Sequence, residues 1–230
     1  MAPDSKPPLI VVSDFDGTIT REDLVVRLTT HFAPDNQALV DAINARRVPL
    51  GEGLAGLFHA LSSSRVDEYR AFIRRHGRTR EGFPEFLDRL AQLDVPFYVA
   101  SNGVDLILEP ILENLVPPSH IYANLADLSE PQIVVRWPYP CLPENQHGCG
   151  LCKPRLVKAL RKHYQAPVLF IGDGVTDFAG AQEADYVLAR SRLAERLESL
   201  EKPFARFEDF KDVMHYITQM MEEVLAHDSI

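Results

Sequence analysis

Leu9-Ile10-Val11-Val12-Ser13-Asp14-Phe15-Asp16-Gly17-Thr18 decides the fold. An uninterrupted apolar run followed at once by polar residues reads as a strand buried on both faces, the kind found inside a parallel sheet. Asp14 and Asp16 follow it two positions apart, so in extended chain both carboxylates point to one side, into the crevice where open α/β sheets bind ligands. Like charges this close repel unless a cation lies between them. Gly17 lets the chain turn away, and Thr18 is placed to hydrogen-bond that turn. A merely structural acidic exit would leave two carboxylates uncompensated on the buried side, which is costly, so the pair points to chemistry.

Outward from this stretch, Val95 to Ala100 and Pro167 to Ile171 repeat the buried-strand pattern, and Tyr186 to Ala189 reads as a shorter strand. Helical periodicity predicts helices over 84–93, 104–115, 154–164, 176–183 and 207–225. The alternation predicts an α/β fold with a doubly wound, mostly parallel sheet. Residues 21–83 break the rhythm: they hold no strand-like run, whereas a strand-to-helix connection normally takes about 2–6 residues. Apolar residues recur there at helical spacing in Leu24, Val25 and Leu28 and again in Leu54, Leu57, Phe58 and Leu61, with breaks at Ala33-Pro34-Asp35 and Ser62-Ser63-Ser64. The expected organisation is a catalytic core of residues 1–20 and 84–230 with a helical cap, 21–83, inserted after the first strand. Residues 121–137 read as short strands or a hairpin.

The other two long strands also end in polar turns. Gly172-Asp173-Gly174-Val175-Thr176-Asp177 follows one and Ser101-Asn102-Gly103 the other. In a parallel sheet these ends share one edge, so Asp173 can reach Asp14 and Asp16. Oxygen ligands from two loops make a site for a hard cation such as Mg²⁺. The Ser101 turn leads into a helix N-terminus, which favours anions. Lys153 precedes a helix between these segments and supplies a cation near the same edge.

The chain of 230 residues is 46% hydrophobic and 25% charged, the make-up of a folded globular protein. Its net charge of −9 argues against nucleic acid and anionic membranes as partners, so an anionic substrate must be drawn in by local cations or a metal. No apolar run approaches the roughly 20 residues of a membrane helix. Residues 1–8 lack the apolar stretch of a signal peptide, which makes cytoplasmic the expected location. The odd count of 3 cysteines argues against a disulfide framework. Cys141, His147, Cys149 and Cys152 could form a zinc site, or the thiols could shape a tight turn before Lys153. The spacing matches no zinc-finger pattern and favours the second reading.

Asp14-Phe15-Asp16-Gly17-Thr18, Ser101-Asn102-Gly103, Lys153 and Gly172 to Asp177, in that order, resemble the motifs of the haloacid dehalogenase superfamily of phosphatases. The insertion after the first motif resembles the helical cap of its phosphoserine-phosphatase-like branch. Further likeness, through Phe32-Ala33-Pro34, Arg80-Glu81-Gly82-Phe83, Ile121-Tyr122-Ala123-Asn124 and Cys149 to Pro154, is to the phosphatases of methionine salvage. The resemblance implies a Mg²⁺-dependent phosphatase acting on a small phosphomonoester through an aspartyl phosphate. It implies 2-hydroxy-3-keto-5-methylthiopentenyl-1-phosphate as substrate, with phosphoserine, or phosphocholine and phosphoethanolamine, as alternatives, and a non-catalytic binding protein of the same fold as the rival class.

By the same resemblance Asp14 is the nucleophile and Asp16 the acid and base. Ser101, Asn102 and Lys153 hold the phosphoryl group, while Asp14, the carbonyl of Asp16 and Asp173 hold the metal. Thr18 and Asp177 give supporting contacts, with Asp177 orienting Lys153 or a metal-bound water. Glu22 is a pocket residue at the position where phosphoserine phosphatases contact an amino group. Arg46, Arg47, Arg74 and Arg75 are candidates for a substrate anion or for a solvated cap face.

Overall fold

The computed structural model describes residues 6–141 and 150–227. The opening strand, β1 (Ile10–Ser13), lies at the middle of a 7-stranded sheet. It is flanked in register by β2 (Phe97–Val104) on one side and by β5 (Val168–Gly172) on the other, both parallel to it. The order is β4-β3-β2-β1-β5-β6-β7, with β3 at Ile121–Asp127, β4 at Val134–Arg136, β6 at Tyr186–Ala189 and β7 at Ala205–Arg206. Only β4 runs antiparallel to its neighbour, as the second arm of the hairpin expected at 121–137. The chain thus leaves β1 toward opposite edges of the sheet in its two halves, which opens a crevice at the carboxyl ends of β1, β2 and β5.

Alternation along β1 assigns the two faces. Val11 packs into a core with α5 (Phe83–Gln92), α6 (Asp105–Leu112) and α10 (Phe210–His227). Ile10 and Val12 pack on the opposite face, with α7 (Lys153–Tyr164), α8 (Phe178–Ala181) and α9 (Ser191–Ser199). Buried on both faces, β1 needs the continuous apolar run that its sequence shows.

Between β1 and α5 the chain forms α1 (Leu24–Phe32), α2 (Asn36–Asn44), α3 (Leu50–His59) and α4 (Val66–His76). Their inward residues, among them Leu28, Leu57, Phe58 and Ile73, continue the core on the α5 side of the sheet. This segment leaves and rejoins the sheet side by side: Thr20 and Thr79 form an antiparallel bridge, and the Arg21 amide donates to the Arg78 carbonyl at 2.9 Å.

Several predicted boundaries move. The stretch 176–183 is a 3-10 turn at Val175–Asp177 followed by the short α8, because the Asp177 carboxylate accepts backbone amides and holds a tight turn. The last helix begins at Phe210 instead of residue 207, since Ala205 and Arg206 are taken up as the edge strand β7. The second long strand does not end at Ala100. It runs on to Val104 through a register shift between Ala100 and Val104, so Ser101-Asn102-Gly103 is a bulge within the strand, a device that redirects side chains out of the ladder.

Candidate active site

Phe15 anchors the site. Its ring is fully buried in the core, so the residues on either side, Asp14 and Asp16, stand at the crevice, where both line a cavity of about 1530 Å³. The turn that follows is shaped by contact with the neighbouring strand's loop. Gly17 has φ +82, and a Cβ there would lie 2.5 Å from Oδ2 of Asp173. Thr18 Oγ1 donates to Oδ1 of Asp173 at 3.0 Å. A glycine is required both for the left-handed backbone and for the close approach.

Lys153 opens α7, yet it is only 1% exposed. Its ammonium donates to Oδ1 of Asp14 at 2.5 Å and to Oδ1 of Asp177 at 2.6 Å. The second oxygen of Asp177 accepts the amides of Asp173 at 3.1 Å and Gly174 at 2.8 Å. Asp177 therefore fixes both the lysine and the loop that carries Asp173. Carboxylate oxygens of Asp14, Asp173 and Asp177 lie within 4.8 Å of one another. The Asp16 side chain turns the other way, and its Oδ1 accepts the Leu24 amide at 2.8 Å, at the start of α1.

Electrostatics follow from this crowding. Burial, then repulsion from Asp177, pushes the Asp14 carboxyl up to about 8 despite the attraction of Lys153. Burial and the same neighbour raise Asp173 to about 7. Asp16 is driven well above the ordinary carboxylate range by burial and by Asp23 and Asp14. Burial alone would pull the Lys153 ammonium down, but the attraction of Asp14 and Asp177 outweighs it and the net shift is upward. Lys153 is the one ammonium bonded within this cluster of three carboxylates, and the upward shifts of Asp14 and Asp173 show that it does not balance the charge. That deficit of positive charge, in an all-oxygen setting, fits a hard divalent cation.

Ser101 is buried, and its hydroxyl oxygen accepts the Gly103 amide at 2.9 Å, which leaves its proton to be given to a ligand. Asn102 lines the cavity, while its carbonyl is tied to Nδ2 of Asn124 at 2.7 Å. Glu22 also lines the cavity but is bound by Nη1 of Arg27, whose Nη2 donates to His76 Nδ1 at 3.0 Å. Asp23 caps α1 by accepting the Val26 amide at 2.9 Å. Arg46 and Arg47 reach the cavity wall, whereas Arg74, which pairs with Glu113, and Arg75 lie outside it. Of the suspected soft ligands, Cys141 is half-buried and Cys152 buried, while His147 and Cys149 lie outside the described residues.

Neither Arg27 nor Arg190 stands out in the sequence, and Arg80 does so only within the Arg80-Glu81-Gly82-Phe83 likeness, with no role attached. Arg80 donates from Nε to the Thr18 carbonyl at 3.1 Å and from Nη2 to the Gly17 carbonyl at 2.8 Å, and Arg190 donates to that same carbonyl at 3.2 Å. Two guanidinium groups thus clamp the turn after Asp16, from 63 and 173 positions away. Nothing local marks Arg190, and the likeness around Arg80 carries no hint of this contact.

The geometry agrees with what the chain is similar to. Residues 11–182 match the family model of the haloacid dehalogenase-like hydrolases. A "2-hydroxy-3-keto-5-methylthiopentenyl-1-phosphate phosphatase" of Geobacillus kaustophilus is 40% identical over 213 residues, 92% of this chain and 96% of that protein. A protein of the same name from Geobacillus thermodenitrificans is 38% identical over 96% of this chain and all of its own length. Among solved structures, a phosphoserine phosphatase holding a phospho-aspartyl intermediate analogue superposes with a TM-score of 0.72 at 17% identity, covering 92% of this chain and 99% of that one. On matches of this extent, the chain belongs to the haloacid dehalogenase-like hydrolase family.

Proposed function

We propose that the protein hydrolyses 2-hydroxy-3-keto-5-methylthiopentenyl-1-phosphate, with Asp14 as nucleophile and residues 21–83 as the cap over the substrate. One observation carries the choice of substrate: the carboxylates at the cap's entrance are already engaged within the chain. Glu22 is held by Arg27 and Asp23 by the Val26 amide, while Val25, Val40, Ile43, Leu54 and Leu57 supply an apolar wall. An ammonium-bearing ester such as phosphoserine or phosphoethanolamine would need an uncommitted carboxylate there. An uncharged keto-enol with a thioether tail needs an apolar wall. Relatives that match over nearly the whole chain carry that activity in their names.

In the mechanism we infer, a carboxylate oxygen of Asp14 attacks phosphorus and the bond from phosphorus to the ester oxygen breaks. Asp16, whose carboxyl burial drives well above the ordinary carboxylate range, gives its proton to the departing oxygen. The aspartyl phosphate is then hydrolysed. Asp16, now a base, takes a proton from water, the resulting hydroxyl bonds to phosphorus, and phosphate leaves with Asp14 restored. Lys153, already on Asp14, offsets charge on the phosphoryl oxygens, and the Ser101 hydroxyl donates to one of them. Asp14, the Asp16 carbonyl and Asp173 would hold Mg²⁺, which supplies the positive charge that lets an anionic nucleophile meet an anionic ester. Asp177 keeps Lys153 and the Asp173 loop in place.

A panel of phosphomonoesters tests the reading. The methylthio ester should be cleaved with kcat/KM at least about tenfold above phosphoserine, phosphocholine and phosphoethanolamine, a difference of ~1.4 kcal/mol in transition-state binding. Equal or better rates with an amine-bearing ester would move the substrate assignment and leave the chemistry at Asp14 in place.

A further inference from the structure

Helix α2 ends in a conformation its sequence does not favour. The Arg46 amide donates to the Ile43 carbonyl and the Arg47 amide to the Ala42 carbonyl, both at 2.9 Å. Arg46 itself is left-handed, with φ 56. This is the helix stop at which glycine is usual, because a side chain there strains the backbone. The hairpin around it is tightly made: a Cβ on Gly53 of α3 would lie 2.4 Å from Cγ1 of Ile43. Arg46 is therefore carried on a rigid corner at a position where it costs stability.

Its surroundings indicate what that cost serves. Arg46 is exposed, yet it lines the same cavity as Asp14, Ser101 and Lys153. Arg27, Arg65, Arg136 and Arg206 have carboxylate partners. No carboxylate among the described residues pairs with Arg46, in a chain with 33 acidic side chains. A strained arginine with no carboxylate partner among the described residues, on the wall of the same cavity, is placed for a ligand oxygen. The phosphoryl end is served from the sheet edge by Ser101 and Lys153, which leaves an arginine elsewhere on the cavity wall for the part of the ligand beyond the phosphate.

We infer that Arg46 is a specificity-determining residue whose guanidinium grips the adjacent enol and keto oxygens of the substrate. This assignment rests on the substrate reading above. The planar fork of a guanidinium suits two neighbouring oxygens, whereas an ammonium meets them as a point charge.

The test compares the intact protein with Arg46→Gly, Arg46→Lys and, as a control, Arg75→Ala on the outer side of the cap. Two substrates are used, the methylthio ester and phenyl phosphate, whose ring carries no oxygen beyond the ester linkage. Arg46→Gly should raise Tm by about 2–4 °C, the shift expected from relieving backbone strain in a chain of this size. It should also lower the ratio of kcat/KM for the ester over phenyl phosphate about tenfold. Arg46→Lys should recover only part of that ratio, and Arg75→Ala should keep it. An unchanged ratio in Arg46→Gly, full recovery in Arg46→Lys, or a Tm that fails to rise would overturn the inference. Failure of the substrate reading is distinguishable, because the wild-type protein would then not prefer the ester in the first place, and the assignment of Arg46 to its oxygens would fall with it.

Discussion

Replacing Gly17 with alanine probes the contact that joins the two acidic loops. At φ +82 an alanine carries left-handed strain of about 1–2 kcal/mol. Its Cβ would stand 2.5 Å from Oδ2 and 3.0 Å from Cγ of Asp173, so that carboxylate must retreat by roughly 1 Å to reach ordinary contact. The retreat breaks the 3.0 Å bond from Thr18 Oγ1 to Asp173, worth about 0.5–1.5 kcal/mol. Together these give ~1.5–3.5 kcal/mol, or a fall in Tm of roughly 3–14 °C for a protein of this size. The functional loss should be larger, because a displacement of about 1 Å in a reacting assembly costs on the order of 100-fold. Thermal unfolding and a Mg²⁺ titration of phosphatase activity measure both effects. The midpoint of the Mg²⁺ titration should rise in the variant, since Asp173 is the group that moves. A variant with lowered Tm but an unchanged Mg²⁺ midpoint would refute the placing of Asp173 in the cation site.

Other outcomes follow from the same site. Asp14→Asn should abolish turnover while the protein stays folded and still binds substrate, checked by turnover, Tm and calorimetric titration; a rate comparable to wild type would exclude nucleophilic attack by Asp14. In metal-free protein Asp14 and Asp173 hold protons that the unfolded chain releases near pH 4, their folded values being about 8 and about 7. Folding therefore binds protons in that window, and Tm should fall as pH rises from about 4 to 8. Mg²⁺ at 100 times its Kd should restore about 2.7 kcal/mol near pH 8, and a Tm that is flat with pH and indifferent to Mg²⁺ would contradict the charge deficit. Arg80→Met removes donors from the Gly17 and Thr18 carbonyls and should lower kcat more than it raises KM, as expected for a residue that positions Asp16 and Asp173; a change in KM alone would assign it to substrate binding instead.

The sheet was legible because burial on both faces leaves a local mark: the apolar runs ending at Val12 and Ile171 can be little else. Asp14, Asp173 and Lys153 could be brought together on paper because parallel strands put all their carboxyl ends on one edge. The bulge at Ser101-Asn102-Gly103 was not visible, since register depends on the partner strand, and the sequence of β2 alone carries no sign of where β3 slips. The contacts of Arg27, Arg80 and Arg190 stayed hidden for a related reason. Their partners are the Glu22 carboxylate and the backbone carbonyls of a distant turn, and a carbonyl has no residue type to recognise. Helix ends shifted where a side chain, such as Asp177, bonds to the backbone and overrides apolar periodicity.

The central claim is covalent catalysis at Asp14, and a rapid-quench experiment with ³²P-labelled substrate tests it most directly. Acid quenching in the first turnover should trap label on the protein, and peptide mapping should place it on Asp14 as a base-labile acyl phosphate. The label should accumulate in Asp16→Asn and be absent in Asp14→Asn. Release of labelled phosphate at the wild-type rate with no label ever on the protein, or label on another residue, would contradict the account.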